Sequence, residues 1–309
     1  RLLPNRKWEE IHYAVCGQCK RFHWGYSASD VPAVCTCGTS LTESRNTDLK
    51  GKFIIPQQGF VAANETTSPG ENPPQRTYAS RIYFTEYRSP LTKAVEERDL
   101  EPDPDLANSQ VRVYKAISPH GWMALVNDGY GRGFDICESC GWSQVVDFSQ
   151  NAQKRFGKHK NPFSQKDCSG KTHSYHLGHR YMTNVLELKF EGIRFEQAEM
   201  LSTLYAILDG ASEELGIRRD DIDGTLFYRD FHQSPHLILF DTVPGGAGHV
   251  DRINKNLKKV FDTALIKVKN CECGKDTSCY NCLRNYHNQI FHDVLQRGMA
   301  IDILEKVLR

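Results

Sequence analysis

The densest reactive chemistry in this 309-residue chain is four cysteines, Cys271, Cys273, Cys279 and Cys282, spaced C-x-C-x5-C-x2-C in the segment CECGKDTSCYNC. Four thiolates this close in sequence can surround one tetrahedral ion at a zinc–sulfur distance of about 2.3 Å. Two disulfides are the competing chemistry, and they need an oxidising compartment. The N-terminal RLLPNRKWEE lacks the apolar stretch and the initiator Met of a secretory leader, so the expected compartment is the reducing cytoplasm and the chain reads as a fragment or a trimmed product.

The other seven of the 11 cysteines form two further groups. Cys16, Cys19, Cys35 and Cys37 follow C-x2-C-x15-C-x-C, close to a zinc-ribbon template, with a structural staple as the expected role. Cys137, Cys140 and Cys168 supply three donors of a third site, and a histidine must supply the fourth. His159 completes it as C-x2-C-x18-H-x8-C, while His173 follows Cys168 as C-x4-H; spacing alone does not choose between them. His176 and His179 are read as solvent or interface residues. The expected cofactor is zinc, about three ions, each with four protein ligands and no position open for water.

Around these groups the chain alternates between polar runs and regular patterns. The stretches 64–76 and 99–111 are rich in Pro, Asn and acidic residues, and read as loops or linkers. Residues 81–87, 111–118 and 181–192 alternate as strands. Ala198, Leu201, Leu204, Tyr205, Leu208, Ala211 and Leu215 make one helical stripe, and 222–230 with 236–243 read as a strand pair ending at the turn PGGAG. A second amphipathic helix is expected over His249–Lys269, and a C-terminal helical stretch from about Asn288, interrupted near Gly298. The fold class is α+β: a zinc-ribbon-like module at 1–50, a β-rich segment at 51–133 and a mixed α/β zinc-binding domain with two sites at 134–309. No apolar run approaches the roughly 18 residues that span a bilayer, so no membrane association is expected.

Three weaker signals compete with a purely structural reading. DIDGTL at 221–226 spells a phosphatase nucleophile motif, but the charged lead-in GIRRD is not a buried strand, so the Asp221–Asp223 pair reads as a turn. PGGAGH could hold an anion on its backbone N–H groups, yet it lacks a Walker lysine and reads as a tight strand-to-helix turn. With Asp223, Asp241 and His249 nearby in sequence, a metal-dependent nuclease or hydrolase is the rival function. A pure protein–protein scaffold is the third. Finally, Arg252, Lys255, Lys258 and Lys259 face one side of the second helix. With Arg284, His287, Arg297 and Lys306 they form a candidate DNA-phosphate patch, although the net charge of +1 by itself says nothing about nucleic acid.

Three segments taken together, LGHRYMTNVLEL, LFDTVPGGAGHVDRI and CECGKDTSCYNCLRNYHNQIFHDVLQRG, resemble the C-terminal zinc-binding domain of MrfA-type superfamily 2 DNA helicases. The same domain occurs in DrmB, a helicase partner in the DISARM anti-phage system. The resemblance covers about residues 134–309, and CESCG with HKNP before Cys168, like the N-terminal CGQC and CTCG pairs, is more similar to DrmB. It implies one metal on Cys271, Cys273, Cys279 and Cys282, and it favours His159 over His173. It supplies no catalytic residue. With no Walker A or DEAD/DEAH motif, the implied role is a non-catalytic partner of a DrmA-like helicase that helps bind or guide DNA, including single strands, in prokaryotic anti-phage defence.

Overall fold

The computed structural model describes residues 8–55, 80–106, 110–129, 131–146 and 159–309; the polar stretch 64–76 and part of 99–111 lie outside them. Its strands run β1 (Glu9–Cys16), β2 (Phe22–Gly25), β3 (Thr47–Ile55), β4 (Ser80–Arg88), β5 (Val95–Glu96), β6 (Glu101–Pro102), β7 (Arg112–Asn127), β8 (Phe134–Cys137), β9 (Ser143–Val145), β10 (His159–Lys160), β11 (Asp167–Cys168), β12 (Thr172–Glu191), β13 (Ile222–Phe227) and β14 (His236–Asp241). The α-helices are α1 (Gln197–Leu215), α2 (His249–Lys255), α3 (Leu257–Asn270) and α4 (Arg297–Leu308). The α+β class holds, with a β-rich middle, helices towards the C-terminus and three cysteine-rich clusters.

One sheet carries nearly all the strands, in the order β2-β1-β3-β12-β7-β4-β5, with β13, β14, β6, β8 and β9 attached off this path. Its hub is β12, whose 20 residues pair with β7, β14, β8 and, in parallel, β3. The periodicity of 181–192 marks only the second half of this strand. The first half, THSYHLGHR, is polar enough to read as loop, and it becomes strand because β8 pairs with Thr172 to Tyr175 and β3 with His176 and Leu177. His176 is half-buried: its Nδ1 lies 2.5 Å from the Tyr13 hydroxyl, and burial pulls its pKa down. His179 is exposed, its ring stacked on Tyr181.

Alternation along β12 sends Leu186, Leu188 and Phe190 to the helix side, where they join the main core with α1, α3 and α4, and Val185 to the other face with Phe84, Tyr87, Phe240 and Ile238. The stripe expected on α1 is too narrow: Met200 to Leu208 are all buried, because the helix lies between the sheet and the α3–α4 pair. Gly210 permits that packing, since a Cβ there would stand 2.7 Å from the Ala264 backbone nitrogen. The expected pairing of β13 with β14 is present, Ile222 opposite Asp241 through Phe227 opposite His236, and it places Asp223 on a strand instead of in a turn.

Two helix boundaries differ from expectation. The helix after PGGAG breaks at Asn256 (φ −125°, ψ 26°), whose side-chain amide donates to the Arg252 carbonyl. Gly298 does not interrupt the last helix but lies in its first turn, where its N–H donates to the Lys275 carbonyl at 2.8 Å. Within the run 99–111, β6 pairs with β7, and Asp103 is buried against the Lys115 ammonium at 2.6 Å.

Candidate metal centres

All eleven cysteines are free thiols, and they gather into three tetrads in which one donor atom from each residue lies within 4.8 Å of the others. The tetrads are Cys16, Cys19, Cys35 and Cys37; Cys137, Cys140, His159 and Cys168; and Cys271, Cys273, Cys279 and Cys282. A regular tetrahedron with zinc–sulfur bonds of about 2.3 Å has sulfur–sulfur edges of about 3.8 Å. In the C-terminal tetrad, four edges measure 3.6, 3.5, 3.7 and 3.8 Å. In the N-terminal one, Cys16–Cys37 is 3.6 Å and Cys19–Cys35 is 3.4 Å. In the middle one, Cys137–Cys168 is 4.0 Å and the His159 Nε2 lies 3.1 Å from the Cys140 sulfur. These sets fit a closed, four-coordinate soft cation.

Burial argues the same way. It pushes the Cys19 and Cys282 thiols up, and Cys140 up to about 12, so bare thiolates would be unfavourable where they stand. A divalent cation among them offsets that cost directly. Disulfides would remove the four-fold arrangement that each cluster displays.

Strand ends and turns place each donor. Cys16 is the last residue of β1, and the chain turns back through Lys20, at φ 55°, whose N–H donates to the Cys16 carbonyl. The His23 Nε2 lies 3.2 Å from the Cys35 sulfur, and the Thr39 hydroxyl 3.2 Å from that of Cys37. Such outer contacts orient ligands and spread their charge. In the middle site, Cys137 ends β8, and His159 on β10 stands directly opposite Cys168 on β11. The His159 ring stacks on Trp142, with centroids 4.7 Å apart. His173 is instead on β12, 3.0 Å from the Glu138 carboxylate, so the geometry brings in His159 and leaves His173 out.

The C-terminal site hangs from the end of α3, and α4 braces it. The Arg297 guanidinium donates to the Val268 carbonyl at 2.8 Å and to the Cys273 carbonyl, and the Arg297 N–H donates to Thr277 at 2.9 Å. Arg297 is 7% exposed, so it is a brace for the knuckle and not a DNA-facing cation. No sequence signal marks it, because a basic residue at the start of a helix reads as surface.

The rest of the expected basic patch is largely spent. Arg252 donates to the Leu215 carbonyl, Lys255 pairs with Asp251, and Lys258 with Asp262. Arg284 donates to Ser278 and to the His292 carbonyl, and His287 stands 3.7 Å from Asp220. Lys259 is exposed and in no ion pair among the described residues.

The rival catalytic trio does not converge. Asp223 stands opposite Phe240 and Asp241 opposite Ile222, so the two carboxylates leave opposite faces of the β13–β14 ladder. Burial pushes the Asp223 carboxyl up against the pull of Arg219. Asp241 is fully buried, and both its oxygens are occupied: Oδ2 accepts the N–H groups of Ala247, Gly248 and His249, and Oδ1 that of Val250. The glycine turn does bind an anion, and the anion is the protein's own. Gly246, at φ 78°, is required there, since a Cβ would stand 2.5 Å from the Asn184 side chain.

Sequence reasoning also missed a buried polar cluster. Glu187, wholly buried on β12, accepts from His236 at 2.6 Å, Arg229 at 2.7 and 2.8 Å, and Tyr87 at 2.9 Å. Burial raises this carboxyl, but the His236 and Arg229 contacts more than reverse that and hold it at about 2. Among the described residues no helix is long and apolar enough to cross a membrane.

Residues 203–283 match the family described as MZB, the MrfA Zn-binding domain, a span that includes all four C-terminal cysteines. The three tetrads, with that match, are consistent with about three structural zinc ions. The chain is similar to the Druantia protein DruE of Escherichia coli (strain UMEA 4076-1), 28% identical over 211 residues, which is 59% of this chain and 11% of that much longer protein. The solved structure of the DUF1998 helicase MrfA bound to DNA is alike at a TM-score of 0.39 and 12% identity, over 74% of this chain and 25% of that one, which is too distant to assign anything here. The chain is also 30% identical over 78 residues to the uncharacterised protein MJ1572.1 of Methanocaldococcus jannaschii, covering 25% of this chain and 68% of that one. On that match the chain belongs to the family of MJ1572.1.

Proposed function

We propose that this chain is a non-catalytic, zinc-stapled accessory module that works beside a superfamily 2 DNA helicase in defence against phage and helps to hold or guide DNA. The observation that carries the reading is three closed tetrads in one chain, one of them inside the match to the MrfA Zn-binding domain. Closed sites leave no position for a reacting water, so the metal serves the fold. The similarity to the Druantia protein DruE supports the phage-defence setting. The ligands are the twelve residues of the tetrads, with His159 as the histidine, and the cytoplasm is the setting in which their thiols stay reduced. The finer proposal is a DrmB-like partner of a DrmA-like motor, with zinc modules at 1–50 and within 134–309 and a β-rich segment at 51–133 between them.

The test is co-purification with the neighbouring helicase, combined with salt-dependent binding to single- and double-stranded DNA. The reading expects a stable helicase complex and DNA affinity that falls steeply with salt. A chain that binds DNA at no salt concentration, alone or with the helicase, would reduce it to a scaffold. Metal-dependent DNA cleavage abolished in Asp241→Ala at unchanged zinc content would establish the nuclease reading instead.

A further inference from the structure

Apart from the three tetrads, the chain encloses a cavity of about 220 Å³ that the structural role of zinc does not use. It lies where β4 and β13 meet. β4 pairs with β7 and β5 and β13 pairs with β14, and the Thr225 hydroxyl on β13 donates to the Ile82 carbonyl on β4 at 3.1 Å. Helix α1 and the turn Gln289–Phe291 beyond the C-terminal knuckle close other sides, and Leu201, Leu226 and Phe291 supply an apolar wall. The volume is below the roughly 300–1,000 Å³ of sites for drug-sized ligands, so the occupant it suits is one small molecule.

Two polar groups of opposite character line this cavity. The first is Asp223. Its Oδ1 accepts the Gly224 N–H at 2.9 Å, and the Arg219 guanidinium, bonded to the Ile222 carbonyl at 2.6 Å, stands 3.8 Å away. The Asp223 Oδ2 makes no hydrogen bond among the described residues, and the side chain is 24% exposed. Burial raises this carboxyl despite the pull of Arg219. A perturbed carboxyl with an open oxygen beside an apolar wall is the pattern that ligand sites share, and it calls for an N–H donor. The second group is a pair of cations that divide one carboxylate. The Lys20 Nζ and the Arg81 Nη1 lie 3.5 and 3.4 Å from the same Asp48 oxygen, and the Tyr83 hydroxyl lies 3.4 Å from the other. Arg81 reaches the buried Asp128 at 3.8 Å. All of these contacts are longer than the about 2.7–2.9 Å of a charge-assisted hydrogen bond, so both cations keep capacity for an anionic oxygen.

We propose that this cavity binds one nucleotide whose base carries an exocyclic amino group, with the amino N–H on the Asp223 Oδ2, the base against Phe291 and the phosphate at Lys20 and Arg81. A plain amine would leave the two cations unused, and a plain anion would leave Asp223 unused. Cytosine offers the N4 amino donor that a carboxylate accepts, whereas thymine presents a carbonyl oxygen there. The same chemistry comes from a free nucleotide or from an unpaired nucleotide of a strand. The inference goes beyond the DNA-holding role, which other surfaces could perform with the cavity empty.

The experiment is calorimetric titration of the full zinc-loaded chain with deoxycytidine monophosphate, thymidine monophosphate, deoxycytidine and inorganic phosphate. The variants are Asp223→Asn, Lys20→Gln and Ile290→Trp, with zinc content and melting temperature as folding controls, since none of these residues is a metal ligand. The wild type should bind deoxycytidine monophosphate roughly tenfold or more tightly than thymidine monophosphate, the range for one hydrogen bond to a charged acceptor. Asp223→Asn keeps an oxygen for the Gly224 N–H and turns an NH2 donor into the cavity, so the preference should reverse towards thymidine monophosphate. A merely structural Asp223 would weaken all ligands alike. Lys20→Gln should weaken the monophosphate and leave deoxycytidine unchanged. Ile290→Trp, at a cavity-lining position that is 44% exposed, should block every ligand. Competition separates the two sources: an oligodeoxycytidylate that displaces the mononucleotide identifies a strand, and one that fails to displace it identifies the free nucleotide. Absence of mononucleotide binding, equal affinity for the two bases, or an Asp223→Asn variant that keeps the cytosine preference would overturn the inference. Each of these results leaves the DNA-holding reading to its own salt-dependent test.

Discussion

Asp241 and Val250 are joined by a 3.0 Å hydrogen bond from the Val250 backbone N–H to the Asp241 Oδ1, across the glycine turn that separates β14 from α2. Together with the three N–H groups on Oδ2, this bond makes the loop an anion site filled from within the chain. A carboxylate so engaged is available neither to a metal nor to a substrate, and that decides between a structural and a catalytic role for this loop.

Replacing Asp241 by Ala takes a buried charged acceptor from four backbone donors, those of the partly exposed turn residues Ala247, Gly248 and His249 and of the buried Val250. Unfolding in denaturant should show a loss of about 1.5–3 kcal/mol, the scale for losing hydrogen bonds to a charged acceptor. The same variant should show no change in any DNA-cleaving activity, measured on labelled duplex with added magnesium or manganese.

Arg297 supplies a second discrimination. It braces the carbonyls of Val268 and Cys273, so Arg297→Met should loosen the C-terminal knuckle by about 1–3 kcal/mol. Under a mild chelator, one zinc of about three should leave faster than in the wild type. DNA affinity and its salt slope should stay the same; a flattened slope with normal metal retention would return Arg297 to the DNA surface.

The middle site distinguishes its two candidate histidines directly. His159→Ala should lose one zinc equivalent and expose the β10–β11 hairpin to proteolysis. His173→Ala should keep full zinc content, because it breaks only a surface contact with Glu138. Metal analysis of both variants, purified side by side, is sufficient, and a reversed result would exchange the two assignments.

Glu187 carries a pH dependence with a definite sign. Its carboxyl is depressed in the folded chain, from the usual 4.5 to about 2. Stability from this group is therefore fully present above about pH 4.5, declines as pH falls below it, and is gone below about pH 2. The difference amounts to about 3 kcal/mol. Glu187→Gln should be less stable at neutral pH, since it removes the charged acceptor shared by Arg229 and the buried His236, and the gap to the wild type should narrow as the pH is lowered from about 5 to 3. A gap that does not change with pH would show that Glu187 is not the titrating group.

Cysteine spacing reveals the tetrads because metal coordination is a local constraint: the paired cysteines sit two or three residues apart, and the strand–turn geometry that aligns them is short-range. The strand pair at 222–241 and the apolar face of α1 are legible for a similar reason, since period and burial coincide there. The polar half of β12 is not legible. Its strand character comes from partners at positions 53–54 and 134–137, which no local pattern records. Arg297, Glu187 and Asp241 are hidden for the same reason: a charged residue reads as surface until the fold supplies the carbonyls, cations or N–H groups that allow its burial. The basic face of the second helix shows the converse. Its lysines and arginines are real surface residues, but intrahelical carboxylates and a neighbouring carbonyl already engage most of them.

The central claim is that zinc holds three parts of this chain in place, and native mass spectrometry of the purified protein before and after chelation tests it most directly. The account predicts close to three zinc ions per chain. It also predicts cooperative loss of structure as they are removed, because each site contributes on the order of 10 kcal/mol to folding. Fewer than two bound zinc ions, or a metal-free chain that retains its full fold, would contradict it.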